Sequence, residues 1–264
     1  MIDLHCHMLP GIDDGAPDLA TSLQMARIAW RDGITVTACT PHITPGVYDN
    51  TAPGIRKAIS ELRVALAAEG IPLKLVEGAD VHICADMVAG LKNGRIATLA
   101  GSRYLLFEPS HHIAPPRLRE TVFEVMSAGF HPIITHPERL TWIEDHYPTM
   151  IALAKAGAWM QLTAGSVTGR FGARPKYWSE RMLDEGLVHL LATDAHNLRA
   201  RSPVMSEARA AVAQRLGEAE ATEAVLTRPQ LVLDDRPPSM ATTPEALRGP
   251  ERKRGFLDRL FPAA

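Results

Sequence analysis

The amino-acid sequence predicts an α/β fold in which parallel strands are covered by helices. Short apolar runs alternate with helical patterns seven times along the chain, and that alternation is required by a parallel sheet with crossover helices. Several helical stretches also stop on glycine, in "RDG", "AEG", "SAG", "KAG" and "DEG", where a left-handed residue closes a helix. The third observation is the residue type that closes each apolar run: imidazole or carboxylate, six times out of seven.

The first strand is expected over residues 2–7, where Ile2 and Leu4 alternate with Asp3, His5 and His7. A period of two puts both histidines on one side and Cys6 on the other. Further strands are expected over 34–41, 73–81, 104–108, 132–136, 158–163 and 188–193. Helical periodicity lies between them over 18–32, 53–69, 85–93, 116–128, 149–156 and 175–185, and a stretch over 203–227 closes the compact part.

At 264 residues, 46% hydrophobic and 22% charged, the chain can bury a substantial core, and one large domain over residues 1–235 is expected. A net charge of −2 supplies no global field for nucleic acid or an anionic membrane. There is no basic N-terminal region leading into an apolar core, and no run of about eighteen apolar residues, so a transmembrane segment is not expected. Three unclustered cysteines, Cys6, Cys39 and Cys84, fit a reducing cytoplasm better than a disulfide framework. Residues 236–264 change character: "RPPSMATTPEALRGP" reads as a Pro-rich linker, and "ERKRGFLDRLFPAA" as a basic amphipathic tail for a membrane surface or a partner, or else a disordered or folded-back terminus.

The strand ends carry the chemistry. They bring five histidines (His5, His7, His42, His136, His196) and three acids (Asp80, Glu108, Asp194), while the sixth run ends in "TAGS". In a parallel barrel these ends meet on one face, where active sites lie. Singly, each residue reads as a hydrogen-bonded structural group. Jointly, clustered acids face desolvation and mutual repulsion that bound cations remove. Nitrogen and oxygen donors without thiolate point to Mn, Fe, Zn or Co before Mg or Ca. With Asp14 there are nine candidate ligands; one such ion takes roughly four to six, so two or three divalent ions are expected, Mn first among them.

Together "DLHCHMLPGIDDGA", "TPH", "GAD", "FEP", "THPER", "AGSVTGRFG" and "TDAHN" resemble the PHP (polymerase and histidinol phosphatase) superfamily, and within it the metal-dependent protein-tyrosine phosphatases of bacterial capsule and exopolysaccharide synthesis. The resemblance implies a distorted (β/α)7, TIM-like barrel. It also implies one ion between His5, His7 and Asp194, with Asp80 bridging to a second completed by Glu108 and His136, and a third held by Asp14, His42 and His196. Asp80 stands where the family usually has glutamate, so the shorter acid must reach by backbone adjustment or bridge less well. Arg139 and Arg201 match family arginines and suit phosphate, which a guanidinium grips through two oxygens; Arg199 competes with Arg201, and Arg170 in "GRFG" is a third candidate. Asp3, read on the histidine side, is expected to orient an imidazole, and Asp13 to be a neighbour of Asp14 in the turn.

The implied reaction is attack on phosphorus by a hydroxide bridging the ions. The implied substrate is phosphotyrosine on a protein, a membrane-associated tyrosine kinase of the capsule pathway. Two other readings stay open: a small-molecule phosphomonoesterase of histidinol-phosphatase type or a phosphodiesterase, and a regulatory or scaffold protein whose metal site has decayed at Asp80. A cysteine-dependent phosphatase is excluded, because the sixth residues after the cysteines are Ile12, Pro45 and Gly90 rather than arginine.

Overall fold

The computed structural model describes residues 1–244 and residue 247; the basic tail expected over 251–264 lies outside the described residues. Strands β1 (Ile2–Cys6), β2 (Val36–Cys39), β3 (His42–Thr44), β4 (Tyr48–Asp49), β5 (Lys74–Glu77), β6 (Asp80–His82), β7 (Tyr104–Glu108), β8 (His131–Thr135), β9 (Trp159–Thr163) and β10 (Leu190–Ala192) succeed one another along the chain. Between and after them run α1 (Leu19–Arg31), α2 (Ala52–Ala68), α3 (Met87–Lys92), α4 (Leu118–Ser127), α5 (Ile143–Ala156), α6 (Ala164–Val167), α7 (Ala173–Asp184), α8 (Ser206–Leu216), α9 (Glu218–Thr222) and α10 (Arg228–Leu233). The two longest early helices start on side-chain caps: Asp18 accepts from the Thr21 N–H, and Thr51 from the Gly54 N–H.

The strand expected over 73–81 is broken in the middle into β5 and β6, and the one expected over 34–41 ends at Cys39, with β3 resuming at His42 just beyond it. Pro41 has no N–H to continue β2, and Gly78 interrupts the run opposite; a Cβ at Gly78 would lie 2.8 Å from both Thr40 Cγ2 and Leu99 Cδ2. The breaks fall side by side and are bridged by the Asp80 N–H donating to the Pro41 carbonyl. The result is two sheets, β1-β2-β5 and β10-β9-β8-β7-β6-β3-β4, parallel throughout except for the β3–β4 hairpin. Backbone hydrogen bonds tie their ends: the His7 N–H donates to the Ala195 carbonyl and the Asp194 N–H to the His5 carbonyl, each at 2.8 Å.

The expected long helix over 203–227 is also interrupted, at Gly217 with φ +91°, after which α9, a π-helical turn (Glu223–Thr227) and α10 continue to Leu233. α5 starts six residues earlier than expected (143 against 149) because Pro148, which suggests a helix start, sits inside it. Pro148 is the sixth residue of α5, so the helix lacks the bond that an N–H there would give the Glu144 carbonyl.

Alternation along the strands separates two apolar layers. Leu105, Phe107, Ile134, Met160, Leu162 and Leu191 pack with helix residues. Ile2, Leu4, Ala38, Tyr104, Leu106, Ile133, Trp159 and Leu190 pack with one another, closed by Val232 of α10. Glu108 continues the face of Tyr104 and Leu106, and Gln161 that of Trp159, so the polar site is the next layer above this inner core. Residues 236–244, expected as linker, lie against the domain: Tyr104 Oη donates to the Arg236 carbonyl and the buried Arg228 to the Thr242 carbonyl. No helix among the described residues is long and apolar enough to cross a membrane.

Candidate metal centre

β1 delivers His5 and His7 to the carboxyl end of the sheet, both fully buried. Each is oriented through Nδ1. His5 donates to Gln161 Oε1 at 2.9 Å and His7 to Asp13 Oδ2 at 2.8 Å. Their Nε2 atoms are left facing each other at 3.1 Å, with Asp194 Oδ1 at 3.4 Å from both. Three electron-rich atoms at this spacing repel unless positive charge lies among them. For bonds of about 2.1 Å, neighbouring ligands of one metal ion stand about 3.0–3.4 Å apart, which is the spacing seen.

Asp80, the first residue of β6, is fully buried, and neither carboxylate oxygen receives a hydrogen bond. Buried carboxylates are ordinarily hydrogen-bonded or paired with a cation. Asp80 Oδ2 instead lies 3.3 Å from His5 Nε2, 3.6 Å from His42 Nδ1 and 4.0 Å from His136 Nε2. The sheet register places His42 beside Asp80 and His82 beside Glu108. Glu108 points Oε2 towards His42 and His82, at 3.4 and 3.6 Å, and Oε1 towards His111 and His136, at 3.7 and 3.8 Å. Asp14 Oδ1 closes the outer edge, 3.4 Å from His196 Nε2 and 3.5 Å from His42 Nε2. His196 donates Nδ1–H to the Asp194 carbonyl, so its Nε2 carries the lone pair. All nine residues expected from the sequence therefore converge, and their donor set of imidazoles and carboxylates fits divalent ions of the Mn, Fe, Zn or Co type.

Two of these residues hold strained backbone. His136 has φ +35° and Asp194 φ +50°, a left-handed conformation that costs a non-glycine residue on the order of 1–3 kcal/mol and clusters at functional sites. Each lies just past a strand, where the turn aims its side chain back over the sheet end.

The electrostatics show a demand for positive charge. Burial pulls the His5 imidazole down, but Asp80 and Asp194 outweigh it and raise its pKa to about 9. Burial opposes charge on His42 as well, and Glu108 and Asp80 raise it to about 10. Burial and the His7 ring hold His196 down at about 4, and burial with Arg139 holds His136 well below its usual range. Burial works against the Asp194 carboxylate, yet His5 and Arg201 keep it ionised.

Arg139 and Arg201 both reach Asp194 Oδ2: Arg139 Nη1 is ion-paired to it, and Arg201 Nη2 lies at 2.7 Å. Arg139 also lies over the Phe171 ring, 5.3 Å from its centroid. Arg170 is engaged elsewhere, on Glu207 and Ser202, and Arg199 is exposed, so the geometry favours Arg201 over Arg199.

Asp3 departs from expectation. Its carboxylate accepts from the Thr193 N–H at 3.0 Å, from Thr193 Oγ1 at 2.5 Å and from the His5 backbone N–H at 3.3 Å, and it orients no imidazole. The cause is an extra residue in β1: Asp3 pairs with Thr37 but Cys6 with Cys39, a bulge that takes Asp3 out of the alternation shared by His5 and His7. Gln161 and Asp13 take the orienting role instead. Asp13 also accepts from the His42 and Gly15 N–H groups, and Gly15 must be glycine, since a Cβ there would stand 2.2 Å from the His7 carbonyl oxygen. Gln161→Ala or Asp13→Ala is expected to weaken metal binding about 10- to 100-fold, read by competition with a chelator; unchanged affinity would remove the orienting role.

The family model for capsular polysaccharide synthesis, CpsB/CapC, matches residues 1–234. The chain belongs to the CpsB/CapC family. Among relatives of this CpsB/CapC protein, the tyrosine-protein phosphatase YwqE of Bacillus subtilis is 39% identical over 204 residues, covering 76% of this chain and 80% of YwqE. The tyrosine-protein phosphatase CpsB of Streptococcus pneumoniae is 27% identical over 241 residues, 89% of this chain and 99% of CpsB. A crystal structure from work on those two proteins, described as unique metal-dependent tyrosine phosphatases, superposes with a TM-score of 0.88 at 33% identity, covering 93% of this chain and 98% of that one. A β-aspartyl dipeptidase from Fervidobacterium islandicum shares the fold alone, with a TM-score of 0.54 at 16% identity over 88% of this chain and 72% of the dipeptidase.

Proposed function

We propose that this chain is a metal-dependent phosphatase that hydrolyses phosphotyrosine on protein. The observation that carries the reading is the set of facing His5 and His7 Nε2 atoms, Asp194 and the hydrogen-bond-free Asp80 carboxylate, in a chain 39% identical to a named tyrosine phosphatase. His5, His7, Asp194 and Asp80 would hold one divalent ion, Glu108 and His136 a second shared with Asp80, and Asp14, His42 and His196 a third, with Mn the first candidate. Bound ions supply charge to phosphoryl oxygens and lower the pKa of water.

The chain's own residues do the rest. Arg139 and Arg201 come from separate loops to one carboxylate oxygen, at the place where a phosphoryl group entering the site would draw both guanidiniums. Asp194 holds both guanidiniums at the cluster, with each side chain still partly open to solvent. A phenol of pKa near 10 leaves without strong general-acid help, which agrees with a site whose acids all face the cluster. Asp80 supports an intact centre against the decayed-site reading, since it reaches three imidazoles within 4.0 Å. The phosphotyrosyl protein is taken to be a membrane-associated tyrosine kinase of capsule synthesis, supported by the family's link to capsular polysaccharide synthesis.

The purified chain is expected to hydrolyse p-nitrophenyl phosphate and a phosphotyrosine peptide, to stop on chelation and to recover with Mn. Activity that survives both chelation and His42→Ala would sink the proposal. Faster turnover of histidinol phosphate, or of single-stranded DNA, would move the substrate class while keeping the chemistry.

A further inference from the structure

His111 is absent from the ligand set that the strand ends suggest, because it lies beyond β7 in a loop. The loop nevertheless holds it in place. The His111 carbonyl accepts from both the N–H and the hydroxyl of Thr141, each at 3.0 Å, and the preceding Ser110 carbonyl accepts from Trp142 Nε1 at 2.8 Å. Two successive carbonyls are thus anchored to the chain just beyond Arg139, so the 110–111 backbone moves with the site.

The side chain completes a group that is otherwise short of donors. Asp80 lies 3.3 Å from His5 but 4.0 Å from His136, so it serves the first ion better than the second. On the His136 side that leaves Glu108 Oε1 and His136 as the near donors, because His42 and His82 face the other Glu108 oxygen, against the roughly four to six that such an ion takes. His111 Nε2 is 3.7 Å from Glu108 Oε1, the same oxygen that lies 3.8 Å from His136 Nε2, and its ring centroid is 4.7 Å from that of His136. Its side chain is 28% exposed, so it stands between the buried pair and solvent.

We propose that His111 is a ligand of the second metal ion, with Glu108 and His136. The inference rests on the metal-centre reading above. His112, the exposed neighbour whose ring is 6.3 Å from that of His111, makes no such approach and serves as the control.

The test is the Mn content of full chains after loading with Mn(II) and dialysis against graded chelator. His111→Ala is expected to lose one ion per chain at a chelator concentration where the wild type keeps its full set, corresponding to at least about tenfold weaker binding at that position. His111→Asp, which restores a donor, recovers the ion, and His112→Ala behaves as the wild type. Melting of the metal-free proteins is expected to be the same for all four chains, which separates a lost ligand from a lost fold. A loaded wild type and an equally loaded His111→Ala would overturn the inference alone, leaving His111 at most a contact to substrate. A wild type that takes up no Mn would overturn the metal-centre reading together with it.

Discussion

Asp80→Asn is expected to lower activity on a phosphotyrosine peptide by about 10²- to 10³-fold, the range seen when one preorganised charge-stabilising group is removed from an active site. The physical basis is specific to this position. The carboxylate is fully buried, receives no hydrogen bond and lies among three imidazole nitrogens, so its charge is justified only by a cation. Asparagine keeps the shape and removes the charge. In the metal-free variant a buried charge close to Glu108 has gone, but so has the charge that raises His5 and His42; the two changes oppose, so melting should shift little from the metal-free wild type, while stabilisation by added Mn shrinks. A metal-free variant destabilised by several kcal/mol, with Mn response intact, would make Asp80 a structural anchor rather than a ligand.

Arg139→Ala is expected to lower kcat/KM by about 10³-fold, at the low end of the gain a transferred phosphoryl group draws from one well-placed guanidinium. Arg139 comes from the turn Pro137–Arg139, which is opened by the left-handed His136 and held by Glu138 accepting from the Thr163 N–H. Its head is fixed on one side by Asp194 and on the other by the face of Phe171. Arg139→Lys should recover little, because an ammonium lacks the planar two-pronged donor and stacks poorly on a ring. Metal content should be unchanged in both variants. A fall in activity that tracks loss of metal would assign Arg139 to holding Asp194 in place instead.

The strand ends are legible in the sequence because a strand that delivers a ligand must end where it does: "DLHCH", "FEP", "THPER" and "TDAH" each fix a residue type at the carboxyl end of a parallel run, whereas His42 and Asp80, expected at such ends, open β3 and β6 just past the breaks. The features that sequence hides depend on the third dimension. The paired breaks at Pro41 and Gly78 look like two unrelated residues along the chain, and only the β2–β5 and β3–β6 pairings show them to be one seam. Asp3 leaves its expected place because a bulge in β1 breaks the period of two on which that expectation relies. His82 carries a usable signal, lying two residues after Asp80 on the same face, although the expected strand stops one residue short of it at Val81. Gln161 and His111 carry none, since the role of each is set by the strand or loop brought opposite it. Asp13 differs again; the turn suggests a neighbour of Asp14, and its contacts to His7 and the His42 N–H make it the brace of that turn.

If the histidines and acids at the strand ends form one multinuclear metal centre, anomalous scattering from crystals of the Mn-loaded chain measures it most directly. Two or three peaks are expected, one among His5, His7, Asp194 and Asp80, one beside Glu108 and His136, and one among Asp14, His42 and His196. Crystals with no anomalous peak at the strand ends, grown from protein that hydrolyses phosphotyrosine, would contradict it.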